Sequence, residues 1–515
     1  MKMFIVALST LASTSAAQTF RVAGTVIDSE TAVPLGRTRV VLTGGPVPEQ
    51  SAITAAAGTF SFAVPQGKYT LLAAYRDFGE SYGQARSGRS SSAIVVGPEQ
   101  DTTRIVMHWH APVAIHGKVL DDEGEPVHEA TVELFVEAVT NGRKHVISLG
   151  RAESDELGDY SWSSIPAGTY YLAATGQPWY FSDPNARQAL AASGRSVVPY
   201  ALTYFPGTDD SRAATPLILR PGDQLQADIT LRPASGSNLR FVCANTPCGG
   251  SVSLFAIGPG EAETLVRTAD MADCYIPAVA PGRYIVHYIA SDSQMWKQLE
   301  VVGGDNVIEI KPKPFPTLSG RVAFQQPSDR PRQPVYVNLR DEDTRESVAA
   351  ALDVNGNFSW PTVPVSRVRL SVSGSDGFFI SRMSVDGALV KDGVIDIVDG
   401  AKVRVNLTAS RQVGGVNGVV LNGNKPEAGV MVVLALAAGS TDPNSYHALQ
   451  TNSDGSFDFA AVPVGDYVLF AVDNLEFQYA DFETVQPYLS SGKRVRVEPH
   501  SVEAESIRLT PATLK

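Results

Sequence analysis

The sequence predicts an all-β protein: a tandem array of about five β-sandwich modules, each of about 80–125 residues. Three observations predict it. A short phrase recurs: residues 58–73 read GTFSFAVPQGKYTLLA, residues 158–174 read GDYSWSSIPAGTYYLAA, and residues 453–473 read SDGSFDFAAVPVGDYVLFAVD. Gly and Pro number 44 and 33 and are spread along the chain, which marks turns rather than a disordered tract. A length of 515 residues exceeds what one core fills.

The first element is a leader. Lys2 gives a positive start, Phe4–Ala12 (FIVALSTLA) is a short apolar run, and Ser15-Ala16-Ala17 fits a small-x-small cleavage rule. Residues 1–17 are therefore expected to be a signal peptide, with Gln18 the first mature residue. The run is too short to span a bilayer, and no later segment is long and apolar enough to do so. The expected location is secreted or periplasmic, with no membrane span.

The repeated phrase defines the module. In Gly455-Ser-Phe457-Asp-Phe459 a turn glycine opens a strand whose two aromatic residues share one face, because the strand period is two. Val462-Pro463-Val464-Gly465 makes a second turn, since proline withholds a ladder donor. Tyr467 then begins the next strand. Weaker copies run from Cys274-Tyr-Ile276 to Tyr284 and from Gly356-Asn-Phe358-Ser-Trp360 to Leu370. Cys274 there takes the slot of Phe457 and reads as a small core residue. Upstream first strands centre on Gly24, Gly117, Gly320 and Gly418. Alternating closing strands follow downstream at Thr103–Met107, Ala227–Leu231, Asn306–Ile310, Val403–Leu407 and Ser506–Thr510. The expected modules are 18–112, 113–236, 237–315, 316–411 and 412–515. Their joints, at Ala111-Pro112, Arg232-Pro233 and Lys311–Pro316, are short and Pro-bearing, hence semi-rigid.

Composition removes some functions. The net charge is −12 with no basic stripe, which argues against nucleic acid and anionic lipid as partners. There are three cysteines, Cys243, Cys248 and Cys274, and in an oxidising compartment one pair can close and leave a single thiol. Cys243 and Cys248 flank a four-residue stretch and form the candidate disulfide. No cofactor is expected.

Residues 117–132 and 158–170 together resemble the carboxypeptidase regulatory-like domain. The resemblance implies an Ig-like, prealbumin-like (transthyretin-like) β-sandwich, related to carbohydrate-binding-like folds and to collagen-adhesin repeats. It covers most of the mature chain and implies no peptidase activity. Tyr204-Phe-Pro-Gly-Thr208 resembles large secreted bacterial proteins of this type. Some collagen-adhesin repeats carry a Lys–Asn crosslink; Lys118 lies on a first strand, but its closing strand offers Asp228 and no Asn.

Few residues announce chemistry. His108, His110 and His116 lie in HWHAPVAIH, but Pro112 breaks the register and no third ligand follows, so a strand and a joint is the favoured reading. Asp121–Glu125 reads as a solvated turn rather than a calcium loop. Two aromatic groups stand out: Trp179, Tyr180 and Phe181 with Tyr200, Tyr204 and Phe205, and then Phe477, Tyr479, Phe482 and Tyr488. Loop aromatics can stack on sugar rings, and they can equally pack a sandwich edge or join modules. Trp179, Tyr180, Tyr204 and Phe205 are the candidate ligand-stacking residues. No nucleophile elbow, zincin or phosphate-loop motif is present, so no catalytic or metal residue is expected. The expected function is a non-enzymatic binding or scaffold protein of the cell envelope whose partner is polysaccharide or an envelope protein. The alternative is a structural spacer or protein–protein interaction module without a small ligand, and a third reading is an enzyme assembled from distant residues. Surface aromatics in a row favour the first; the same residues buried between modules favour the second.

Overall fold

The computed structural model describes residues 18–84, 91–178, 180, 183, 185–186, 188–189, 200–233, 237–243, 249–270, 275–326, 334–342, 346–374 and 378–510. The protein is all-β, built from strands paired into sheets that pack as sandwiches. It divides into two compact units: Met1–His110 with Lys425–Gly429 and Gln450–Ser456, and Ala111–Asn424 with Val430–Leu449 and Phe457–Lys515.

In the first unit Thr19–Asp28 runs between Thr59–Pro65, antiparallel, and Ile105–Trp109, parallel. The facing sheet runs Gln50–Ile53, Arg39–Gly44, Gly67–Tyr75, Phe78–Ser81, and Ile94–Val96 also pairs with Gly67–Tyr75. The Ser92 hydroxyl donates to the Thr451 carbonyl at 2.8 Å, and the Ser453 amide donates to the Ala93 carbonyl at 2.9 Å. These bonds fasten the late segment Gln450–Ser456 to this sandwich.

The second unit repeats the plan. Val113–Leu120 lies between Asp159–Ile165, antiparallel, and the parallel pieces Gln224–Gln226 and Ile229–Thr230. Ser237–Cys243 lies between Tyr275–Val279 and Asp305–Ile310, and Thr317–Phe324 between Asn357–Trp360 and Lys402–Ser410, with the same senses. Val413–Asn422 pairs in parallel with Val502–Thr510. Each facing sheet centres on a strand of the repeated phrase: Gly168–Thr175, Gly282–Ile289, Arg367–Ser373 or Gly465–Val472.

The phrase explains these elements. Phe60 and Phe62, Phe358 and Trp360, and Phe457 and Phe459 are all buried, as a shared inward face requires. The turn glycines before them, Gly58, Gly158, Gly356 and Gly455, have φ of 69°, 74°, 83° and 74°, a region that penalises any Cβ. The first-strand glycines have a different reason. A Cβ at Gly24, Gly117, Gly320 or Gly418 would overlap the carbonyl oxygen of Ile105, Ala227, Val405 or Glu505, on the closing strand. That approach lets the parallel closing strand lie tight against the first.

The tyrosine of the phrase is a brace. Tyr69 and Tyr467 donate their hydroxyls to the carbonyls of Pro65 and Pro463, each at 2.9 Å, and Tyr170 donates to Pro166. Tyr284 does the same to Ala280 at 2.9 Å. Val368, fully buried, occupies this slot in the fourth sandwich, which makes no such bond. Cys274 lies outside the described residues.

Two features differ from a simple string of modules. The joint Lys311–Pro316 is partly strand: Lys313–Pro314 pairs with Ser293–Gln294 of the third sandwich. Sandwiches distant in sequence also touch, since the turn at Gly142-Arg143 of the second meets residues 441 and 480 of the fifth. Long-range side-chain bonds of this kind carry no local sequence pattern.

Candidate functional site

The aromatic residues after Gly168–Thr175 pack inward. Thr203–Tyr204 adds a short strand beside Ala173-Ala174. Tyr204 is 2% exposed, packs on Phe135 and Ala173, and donates its hydroxyl toward the Ile257 carbonyl of the third sandwich at 3.4 Å. Burial foremost pushes its phenol up. The Tyr204 carbonyl accepts from the amides of Gly207 and Thr208, at 2.7 Å and 2.9 Å, closing the Tyr-Phe-Pro-Gly-Thr turn. Phe205 is half-buried against the second core. Tyr200 is buried in that core and donates to Asp121 Oδ2 at 3.3 Å. Tyr180 is half-buried, and its phenol is pushed up by burial and then by Asp121, Asp122 and Glu123. Tyr180, Tyr200 and Asp121 therefore stand together. Trp179 and Phe181 lie outside the described residues.

The second aromatic group also packs. Phe477 and Tyr488 are buried, with Tyr488 stacked on Phe470 at 4.9 Å and edge-on to Phe477 at 5.2 Å. They belong to a layer built by an α-helix, Phe482–Ser491, which Asp481 caps by accepting from the Thr484 amide at 3.0 Å. This layer covers Met431, Val433, Val468, Phe470 and Val472. Residues of the opposite face, Val432, Leu434, Tyr467 and Leu469, fill the sandwich core. The sheet is thus buried on both sides.

Two arginines hold one loop of the fifth sandwich. Arg143 donates through Nη2 to the Thr441 carbonyl at 2.7 Å and through Nε to the Ala480 carbonyl at 3.1 Å. Arg369, 11% exposed, reaches Asp442 Oδ1 at 3.0 Å, Glu342 Oε1 at 3.2 Å and the Asp392 carbonyl at 3.2 Å. Thr441 Oγ1 donates to Asp392 Oδ1 at 2.5 Å. The loop at 441–442 is thereby tied to the second and fourth sandwiches. A smaller joint links the third to the fourth: Trp296, stacked on His287 at 4.0 Å, donates its amide to Asp399 Oδ2 at 2.9 Å.

The remaining candidates resolve into local structure. His110 turns to Glu80, which accepts its ring nitrogen at 2.6 Å and its amide at 2.7 Å, while His108 and His116 stay exposed. Among the described residues no group of three or more His, Cys, Asp or Glu side chains is placed to hold a metal. The Asp121 carboxylate accepts from the amides of Glu123 and Glu125, as a self-bonded turn does. Lys118 points outward to Asp159 at 2.9 Å, and Asp228 accepts the Lys118 amide. Cys243 is disulfide-bonded; Cys248 lies outside the described residues. Two open grooves occupy matching places beside the first-strand glycines Gly117 and Gly320. One, of about 470 Å³, is lined by His116, Lys118, Asp159 and Asp228. The other, of about 720 Å³, is lined by Ala349, Ala351, Arg321, Ser359 and Arg404.

No protein-family model matches the chain, and no curated protein matches it. Solved structures overlap it in part. The Bacillus anthracis TIE protein is 8% identical, covers 77% of this chain and 75% of its own, and has a TM-score of 0.18. The minor pilin GBS52 of Streptococcus agalactiae is 15% identical over 39% of this chain and 97% of its own, with a TM-score of 0.18. The shaft pilin SpaA of Lactobacillus rhamnosus GG is 13% identical over 42% and 98%, with a TM-score of 0.20. Scores this low carry no function to this chain.

Proposed function

We propose that the chain is a non-enzymatic structural and protein–protein interaction protein of the cell envelope, exported by its leader 1–17. Its modules are 18–112, 113–236, 237–315, 316–411 and 412–515, of the carboxypeptidase regulatory-like type, with a Cys243–Cys248 disulfide in the third. The observation that carries the reading is the burial of the aromatic residues. Tyr204, Phe477 and Tyr488, at 2%, 4% and 4% exposure, spend their area on packing and on a joint between sandwiches rather than on an open face. The arginine ties at residues 441–442 serve the same end.

Carbohydrate binding is the second reading, and the half-buried Tyr180 beside Asp121 is what favours it. Affinity electrophoresis of the mature chain in a panel of polysaccharides separates the two. The structural reading expects unretarded migration in every gel. Retardation that is lost in a Trp179→Ala/Tyr180→Ala variant would replace it with glycan recognition by the second module.

A further inference from the structure

The sheet edge Ser347–Ala351 carries no charge, proline or bulge to block pairing. The corresponding edges of the second and third sandwiches carry charges and a bulge: Arg143–Glu153 shifts register opposite Leu134/Phe135, and Glu263–Asp270 opposite Leu254/Phe255. In the first sandwich the edge Gln50–Ile53 is only four residues. Ser347–Ala351 reads SVAAA, with no charge, no proline and an unbroken register against Tyr336–Asp341.

Its backbone faces outward in a defined register. The Leu352 amide donates to Val335 and the Asp341 amide to Glu346, at 3.0 Å and 2.9 Å, so even-numbered residues bond inward. Alternation then turns the N–H and C=O groups of Ser347, Ala349 and Ala351 outward. No described residue bonds them. Val348 lies on the core side with the buried Ala350, yet it is 50% exposed. Among the described residues it is a core-side side chain left half uncovered. Ala349 and Ala351 border the open groove of about 720 Å³, so the edge is accessible.

We propose that this edge pairs with itself: two copies of the chain join antiparallel about a two-fold axis at Ala349. Ser347 of each copy then faces Ala351 of the other, and Val348 faces Ala350. The outward groups meet in register and form up to about six backbone hydrogen bonds. Every side chain brought together is small or apolar, so nothing charged is buried, and each Val348 gains the cover it lacks. The contact is isologous and closed, giving a dimer rather than a fibre. This deepens the interaction reading by naming the partner, and its failure would leave the outcome of the glycan gels unchanged.

Sedimentation equilibrium of the mature chain over roughly 10 µM to 1 mM, where a small interface associates, is expected to show monomer and dimer. Ala349→Cys is expected to give a covalent dimer on oxidation, above the background of the parent chain. Bonded antiparallel partners stand about 5.5 Å apart at Cα, within disulfide range. Val354→Cys, on an exposed turn, should give none. Val348→Lys and Ala349→Pro should each weaken association at least about tenfold with the melting profile kept, since the Ala349 amide faces outward and proline removes no inward bond. Monomer alone across the range would overturn the proposal. So would a dimer that persists in both variants, or one that fails to crosslink through Ala349→Cys.

Discussion

Arg369→Ala tests whether the loop at 441–442 is fastened or merely adjacent. The guanidinium is 11% exposed and reaches Glu342, Asp442 and the Asp392 carbonyl. Hydrogen bonds to charged groups contribute about 1.5–3 kcal/mol each, but the acidic partners regain water when the cation leaves. Glu342 and Asp442 are already 23% and 34% exposed, so the expected loss is about 2 kcal/mol, below the 3–5 kcal/mol typical of a fully buried pair. The readout is amide exchange in the loop, where Asn444 and Ser445 donate to Asp442 at 3.0 Å each. A loss of 2 kcal/mol speeds exchange roughly 30-fold where opening is local. A double-mutant cycle with Asp442→Ala should return a coupling of about 1–2 kcal/mol. Exchange unchanged within about twofold, or additivity within about 0.3 kcal/mol, would show that Arg369 is a solvated neighbour.

Gly320→Ala should destabilise the fourth sandwich by about 1–3 kcal/mol in urea unfolding, because the new Cβ meets the Val405 carbonyl and the parallel strand must move. Tyr467→Phe should cost about 1 kcal/mol by stranding the Pro463 carbonyl, whereas Val368→Ala should act through lost apolar burial and the cavity it leaves, with no hydrogen bond involved. The Glu80 hydrogen bond outweighs burial and holds the His110 imidazole above its ordinary 6.5. Its contribution is therefore complete below pH 6.5 and fades as pH rises through the raised value, and Glu80→Gln should flatten that dependence in melts of the first unit. His287 has the opposite sign: burial holds it below 6.5, so the third sandwich should be at full stability above pH 6.5 and weaken as pH falls toward the lowered value.

The recurrent core was legible because it is local. Phe457, Phe459 and Tyr467 fall within eleven residues, and a period of two with a Pro–Gly corner fixes their directions. The helix Phe482–Ser491 breaks the strand pattern, and two signals in the chain mark it. Val468, Phe470 and Val472 are apolar where an exposed face would alternate, the mark of a sheet covered on both sides. Asp481, three residues before Thr484, is a helix cap. The aromatic residues around Tyr204 and Tyr488 stand out in the sequence, but whether they meet a ligand or pack depends on which surface lies opposite. Arg143 and Arg369 were illegible for the same reason: their partners at 441, 442 and 480 lie far along the chain.

The strand pairing also sets how these sandwiches bear load. In each, the chain enters along the first strand and leaves along a closing strand beside it and pointing the same way. Tension applied through the two ends draws these neighbours past each other lengthwise. Their hydrogen bonds are then strained together in shear, and none can peel open ahead of the rest. The longest such seam, Thr317–Phe324 against Lys402–Ala409, makes the fourth sandwich a clamp. The divided seam of the second sandwich, where Gln224–Gln226 and Ile229–Thr230 share the strand Val113–Leu120, is the place where a pulled chain should yield first.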